Sequence, residues 1–284
     1  TFLKKRMIEF SAQNLNFKDT LECGQIFRYK SINGGFLVQS GSKCCFLKSV
    51  NDETEITFED GDEEYFKKYF DLDSDYSGIV ERAEKCEYEI VRTAAEKASG
   101  VRILRQDLSE TLFSFIISQN NMIPRIKAII ERTAASLGEK KSFMGEEYYS
   151  FPTAEVLAMK DADFYFKLGY GYRADYIPAV AKAIESGEFD FSDDGLTTAE
   201  LRKKLISLKG VGPKVADCVA LFGYHRTDSF PVDTWIEKLY REDFGGELKD
   251  RKKIAEFFTS RFGNDSGFIQ QYIFYYKRSL ADKD

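Results

Sequence analysis

Residues 205–217, LISLKGVGPKVAD, decide the fold. The run leading into them, TTAELRKKLISL from Thr197, carries apolar residues at helical spacing. Thr197 and Glu200, three apart, form a capping box that starts this helix. Gly210-Val211-Gly212 interrupts it, and Pro213 opens a second helix at a first-turn position. Two glycines permit a tight backbone and the close approach of a partner. The second helix directs its first N–H groups and the positive end of its dipole at that partner, which favours a phosphate. Lys214 stands in the same first turn. A lysine there is either a phosphate contact, the ordinary role of a surface lysine, or a nucleophile.

Outward from this motif the pattern stays helical. Toward the C-terminus, helices are expected over 233–243, 250–262 and 266–282. Toward the N-terminus they are expected over 174–186, 161–168, 153–160, 124–137 (with Gly138 as C-cap), 76–98 (one or two helices, closed by Gly100) and 63–70. Residues 108–119 hold Leu112, Phe113, Phe115, Ile116 and Ile117 and read as a buried helix. Residues 140–150 read as a polar excursion. Residues 1–60 are β-rich, with runs over 25–30, 35–39, 43–50 and 55–58 set apart by Asn33-Gly34-Gly35 and Ser40-Gly41-Ser42. The fold class is α+β: an N-terminal antiparallel β-sheet subdomain with flanking helices over 1–98, then a larger α-helical body over 99–284 that contains the two-helix motif at about 197–223.

Composition narrows the chemistry. Of 284 residues, 43% are hydrophobic and 15% aromatic, enough for a substantial core. No run reaches the roughly 18 apolar residues of a membrane helix, and no leader pattern is visible, so a cytosolic protein without membrane contact is expected. The five cysteines, Cys23, Cys44, Cys45, Cys86 and Cys218, include no C-x-x-C pair. Free thiols are expected, not a disulfide framework, a zinc finger or an iron–sulfur cluster. His225 is the single histidine, which excludes His-paired nucleophiles and multi-His metal sites. The net charge of −6 argues against nucleic acid at first sight. The charge is unevenly placed, however: residues 51–64 are strongly acidic, whereas 201–214 carry Arg202, Lys203, Lys204, Lys209 and Lys214 and no acid. An acidic back and a basic front are compatible with a DNA-binding face.

Lys214 has features beyond a phosphate contact. The positive end of a helix dipole disfavours a cation, and a lysine nucleophile attacks as the neutral amine. Cys218 and Phe222 follow at i+4 and i+8 on the same helix face, as a small apolar wall or as plain core. Asp233, at the end of Phe230-Pro231-Val232-Asp233, reads as an N-cap. A capping carboxylate is fixed and ionised, so it can also stabilise a cationic transition state. The loop SQNNMIPR, 118–125, is either a turn or a set of hydrogen-bonding groups for an orphaned base. Gly169-Tyr170-Gly171-Tyr172-Arg173 is a surface turn or a wedge for a base stack. Gln270 and Phe274, one turn apart, can read a base edge and stack on it.

Together these elements resemble a known family. LKGVGPKVADC followed by FPVD is similar to the helix-hairpin-helix DNA glycosylases, whose bifunctional members carry Lys at the nucleophile position. CGQIFR (23–28), VRILRQD (101–107), LFSFIISQNN (112–121) and LGYGYRA (168–174) resemble more narrowly the 8-oxoguanine DNA glycosylases of the eukaryotic type, and the motifs span nearly the whole chain. The resemblance implies a base-excision-repair enzyme acting on double-stranded DNA that contains 8-oxoguanine. Lys214 would attack C1′ and form a Schiff base, followed by β-elimination, with Asp233 stabilising the sugar cation. Gly24 would offer its carbonyl to the N7–H of 8-oxoguanine, Cys218 and Phe274 would sandwich the flipped base beside Phe222, and Gln270 would read its Watson–Crick edge. Asn120 would fill the vacated stack, with Tyr172 as wedge and Arg125 and Arg173 on the orphaned cytosine. Gly210, Gly212 and Val215 would meet phosphate through backbone N–H groups. The carbonyls of Ile206, Leu208 and Val211 would hold a structural monovalent or calcium cation; no cofactor is required. A monomer is implied, at the nucleoid of a bacterium or archaeon or in a eukaryotic nucleus.

The chain departs from its relatives at three positions: Trp235 stands where they carry a phosphate-contacting His, Phe222 replaces a common Met, and Met122 replaces a third Asn. Weak selectivity for the opposite base is therefore expected. Thymine-glycol and adenine relatives carry a C-terminal four-cysteine cluster, and no Cys follows Cys218 here. The alternative of a different class is a non-catalytic DNA-binding module in which Lys214 only touches phosphate.

Overall fold

The computed structural model describes residues 5–11, 16–50 and 53–281. The final helix was expected to reach Asp282, and the acidic stretch begins at Asn51 and Asp52; these three lie outside the described residues.

The chain opens with β1 (Lys5–Ser11), α1 (Phe17–Glu22), β2 (Tyr29–Ile32), β3 (Gly35–Ser40), β4 (Lys43–Val50) and β5 (Glu53–Glu59). They form a five-stranded antiparallel sheet in the order β1-β5-β4-β3-β2. The period of two sorts its side chains. Val38, Cys45, Leu47, Ile56 and Phe58 face α1 and α2 (Glu63–Tyr69), packing on Phe17, Leu21, Phe66 and Tyr69. Leu37, Cys44 and Phe46 face the other way.

That second face is covered by the stretch read as a polar excursion. Residues 140–150 fold into a hairpin, β6 (Lys140–Phe143) and β7 (Glu146–Tyr149), which lays Phe143 and Tyr148 on Leu37, Cys44 and Phe46. Only two of its side chains point inward, so the sequence shows almost no alternation. Two other corrections concern the sheet region: β1 and α1 form where no separate run stood out, and the strand expected from Gln25 begins only at Tyr29.

The body comprises α3 (Ser77–Glu84), α4 (Glu89–Ala98), α5 (Leu108–Ser118), α6 (Ile123–Leu137), α7 (Ala154–Ala158), α8 (Ala162–Lys167), α9 (Tyr176–Glu185), α10 (Thr198–Ile206), α11 (Pro213–Phe222), α12 (Thr234–Asp243), α13 (Arg251–Phe262) and α14 (Ser266–Ala281). A short 3-10 turn, Gly171–Arg173, delays the start of α9. Residues 111–117 of α5 and 215–222 of α11 are buried on every side, so these two helices form the centre. Val80 and Ala83 of α3 and Val91, Ala94 and Ala95 of α4 belong to the same core, and α14 packs on α4. The segment 101–107 is the seam: Val101 and Ile103 enter the helical core, and Leu104 enters the sheet core.

The motif at 197–223 folds as its local chemistry dictates. Thr197 and Glu200 make the reciprocal capping box, with N–H to side-chain distances of 2.9 and 3.3 Å. Gly210 adopts φ +81°, and a Cβ there would sit 2.3 Å from the Tyr176 ring. Gly212 has φ −89° and open space around it. Gly210→Ala should therefore lose about 1–3 kcal/mol from backbone strain alone, plus the clash with Tyr176. Gly212→Ser, whose hydroxyl can cap α11, should leave the melting midpoint near wild type. Thermal melts of the two variants check this.

Candidate active site

A cleft of about 1290 Å³ opens where α5, α11, α12 and α14 converge. Eight of the anticipated residues line it: Gly24, Asn120, Tyr172, Gly212, Lys214, Val215, Asp233 and Phe274. Gly212, Lys214 and Val215 belong to α11 and its N-cap, and the other five come from separate parts of the chain, so only the tertiary fold brings the set together.

Lys214 turns inward. Its amine nitrogen lies 5.1 Å from the centroid of the Phe115 ring, close enough to the Cys218 thiol for its charge to act on it. Burial pushes the Cys218 thiol up to about 11, against the pull of Lys214. Cys218 is thus a neutral thiol at neutral pH, placed behind the cleft wall rather than on it. Phe222 is also buried and stacks on Phe115, with ring centroids 5.4 Å apart. Asp233 is the N-cap of α12, its Oδ1 accepting from the Ile236 N–H at 2.9 Å. The cleft therefore holds an amine on an apolar wall and a carboxylate fixed by backbone.

Gly24 reaches the cleft because Gln25 pins its turn. The Gln25 amide nitrogen donates to Arg102 O at 2.7 Å and Thr20 O at 3.1 Å, and its oxygen accepts from the Leu104 N–H at 2.9 Å. The Gln106 side chain donates to Gln25 O at 2.7 Å, and the Gln106 N–H donates to Phe222 O on α11 at 2.9 Å. Gly24, at φ +89°, is held so that a Cβ would touch Phe274 at 3.4 Å. Tyr275 and Arg278 of α14 close the other side, bonding Asp19 at 2.5 Å and Glu22 O at 3.2 Å.

Other anticipated residues are placed differently. Arg173 is buried, and its guanidinium donates to the carbonyls of Tyr170, Gln119 and Asn120. These donors hold the 119–120 turn. Asn120 stands exposed on that turn at φ +44°, a left-handed conformation that Asn tolerates. Arg125 is exposed, 3.3 Å from Gly169 O, outside the cleft wall. Gln270 is buried, donating to Pro231 O at 3.4 Å and accepting from Gln271 at 2.6 Å, so its amide is engaged beside the Pro231–Asp233 loop rather than on the wall. Gly210 lies off the cleft, its carbonyl accepting from Gln119 at 2.9 Å. Leu208 and Val211 are buried and Ile206 is partly exposed; Leu208 O accepts the Val211 N–H at 3.1 Å and keeps a second lone pair.

Sequence reasoning gave no role to several other wall residues, Phe115, Arg202, Asp217, Arg251, Lys252 and Arg278, and it met Trp235 only as a departure at a phosphate-contact position. Phe115 was legible only as core, whereas Arg278, one turn beyond Phe274, could have been found by helical spacing. Arg202 contacts Asp217 at 2.6 Å. Burial nevertheless pushes the Asp217 carboxyl up to about 6, with the Arg202 charge opposing. Among the described residues, no group of three or more His, Cys, Asp or Glu side chains could hold a metal, and no helix is long and apolar enough to cross a membrane.

Residues 7–112 match the family described as 8-oxoguanine DNA glycosylase, N-terminal domain, and residues 113–263 match the HhH-GPD superfamily base excision DNA repair protein. A probable N-glycosylase/DNA lyase of Methanothermobacter thermautotrophicus is 31% identical over 64% of this chain and 65% of its own length, so the chain spans less than two thirds of that relative. Among solved structures, MBOgg1 in complex with a low-affinity DNA ligand superposes with a TM-score of 0.92 at 37% identity, covering 98% of this chain and 96% of that one. The Clostridium acetobutylicum 8-oxoguanine glycosylase/lyase, in complex with duplex DNA containing cytosine opposite 8-oxoguanine, gives 0.91 at 32% identity and 99% coverage of both chains.

Replacing Gln25 by Leu orphans the buried Leu104 N–H and Arg102 carbonyl, at about 1–3 kcal/mol for each group left unpaired. Denaturant titration of Gln25→Leu should show a stability loss of that order, whereas loss of a surface glutamine would leave the midpoint unmoved.

Proposed function

Because the chain belongs to the HhH-GPD superfamily of base excision DNA repair proteins, with an N-terminal domain of the 8-oxoguanine DNA glycosylase family, we propose that it is a bifunctional 8-oxoguanine DNA glycosylase and DNA lyase. The observation that carries this is the inward Lys214, on an apolar wall, sharing a cleft with the backbone-fixed Asp233.

In this mechanism Lys214 Nζ bonds to C1′ while the glycosidic C–N bond breaks and the base leaves with the electron pair. Asp233 stabilises the positive charge that develops on the sugar. Sugar-ring opening gives the Lys214 Schiff base, and loss of a proton from C2′ expels the 3′ phosphate by β-elimination. Flipping the lesion costs a few kcal/mol. Asn120 and Tyr172, both exposed at the mouth, would offset this by filling and wedging the stack. The Gly24 carbonyl would accept the N7–H that guanine lacks, a contact of roughly 1–3 kcal/mol if mispaired. Phe274 would stack on the base. Cys218 would form the opposing face and Gln270 would read the base edge only after local rearrangement, since neither lines the cleft here. Phe222 backs Phe115.

Gly210, Gly212 and Val215 belong to the phosphate-gripping face, and the carbonyls of Ile206, Leu208 and Val211 are the proposed seat of a structural cation. Neutral carbonyls alone suit a monovalent ion better than calcium, which takes six to eight oxygens and usually carboxylates. The protein is proposed to act as a monomer wherever its genome lies, the nucleoid or the nucleus.

Borohydride added to the enzyme on an 8-oxoguanine duplex should trap a covalent adduct that is absent in Lys214→Gln. A wild-type protein that binds the duplex without an adduct is a binding module instead. Arg125 and Arg173 would address the orphaned cytosine, but with Trp235, Phe222 and Met122 departing from the eukaryotic pattern, excision opposite A should approach excision opposite C in single-turnover assays; a strong cytosine preference would overturn this.

A further inference from the structure

Two exposed aromatic rings border the cleft, and the mechanism above uses only one of them. Tyr172, 56% exposed, stands beside the Asn120 turn, its hydroxyl 3.4 Å from Gln119 O. Trp235, 47% exposed, stands on another element, in the first turn of α12 and two residues beyond Asp233. Its indole is the largest side chain on the cleft that remains in water. Beside it on the same wall are Arg251 and Lys252, from the first turn of α13. Arg251 is braced by Glu237 at 3.0 Å, and the Lys252 side chain is mostly exposed.

An aromatic face flanked by cations is the arrangement that takes a nucleotide outside a duplex stack: the cations follow the phosphates and the ring takes a base. The flipped nucleotide itself is accounted for deeper in, between Lys214 and Phe274. What remains near Trp235 is the nucleotide next to it on the same strand, which loses a stacking neighbour when its partner is flipped.

We propose that Trp235 stacks on the base adjacent to the flipped nucleotide of the lesion-bearing strand, with Arg251 and Lys252 on that strand's phosphates. This rests on the DNA-binding function proposed above. The cleft then grips the damaged strand at two places, Tyr172 on the 3-10 turn and Trp235 on α12. Stacking replaces interactions lost on flipping, so the platform stabilises the opened DNA rather than the intact duplex.

Trp235 is the single tryptophan of the chain, so its emission reports on this ring alone. The full-length Lys214→Gln protein is titrated with an 8-oxoguanine duplex. Binding is read from the anisotropy of a labelled duplex, and tryptophan emission is read with an unlabelled one. Quenching that follows the binding curve is expected. Binding with unchanged emission overturns the stack and leaves the DNA-binding function standing, whereas absence of binding overturns both. In the same background, Trp235→Ala should weaken binding roughly 5- to 150-fold. Trp235→Phe, which keeps a ring but loses the indole N–H, should retain most of the affinity. An equal loss in both variants would mean that the indole donates a hydrogen bond, and would overturn the stack.

Discussion

The site depends on a buried amide. Gln25 ties the turn after α1 to the 101–107 seam, and Gln106 carries the connection on to the backbone of α11. Gly24 follows α1 and Lys214 opens α11, so their relative position depends on this joint together with the bonds of α14 to Asp19 and Glu22. A buried hydrogen bond contributes only about 1 kcal/mol net, but breaking one strands its partner without water. The asymmetry turns a few modest bonds into a rigid register. Arg28 does the same on the far side, pairing with Gln39, Glu110 and the carbonyl of Tyr149, and so fastening the sheet to α5 and the β6–β7 hairpin.

The surroundings of Lys214 are built with similar economy. The helix that presents it is buried on every side from Val215 onward, so the backbone that carries the amine cannot drift without moving the core. Its near neighbours are an aromatic ring and a thiol kept neutral by burial. The fixed charge that shares its cleft, Asp233, is held by a helix terminus. A carboxylate bound first to backbone N–H groups is positioned before any substrate arrives, which is the condition for electrostatic stabilisation without reorganisation.

Arginines near the cleft divide by what already engages them. Arg173 spends its donors on three backbone carbonyls of the protein and fixes the left-handed turn at Asn120. Arg202 is committed to Asp217. Arg251, though braced by Glu237, is about half exposed at the mouth beside Trp235.

Much of the fold was legible in the sequence where local chemistry decides the outcome. The capping box at Thr197, the proline at 213, the cap at Asp233 and the buried run of α5 follow from bonds within a few residues or from dense apolarity, and the structure has them. The β6–β7 hairpin was not legible, because its two inward residues gain their meaning only from a sheet face a hundred residues earlier. For the site, the sequence by itself determined which residue types were available: with a single histidine, an acid, base or nucleophile had to be Lys, Asp, Glu, Tyr or Cys. Only the tertiary structure decided orientation. It turned Lys214 toward Cys218 and Phe115, folded Arg173 inward, withdrew Gln270 behind the wall and left Trp235 in water. Spacing along a helix states which residues share a face, but what that face meets is set by long-range packing and by the search of buried polar groups for partners.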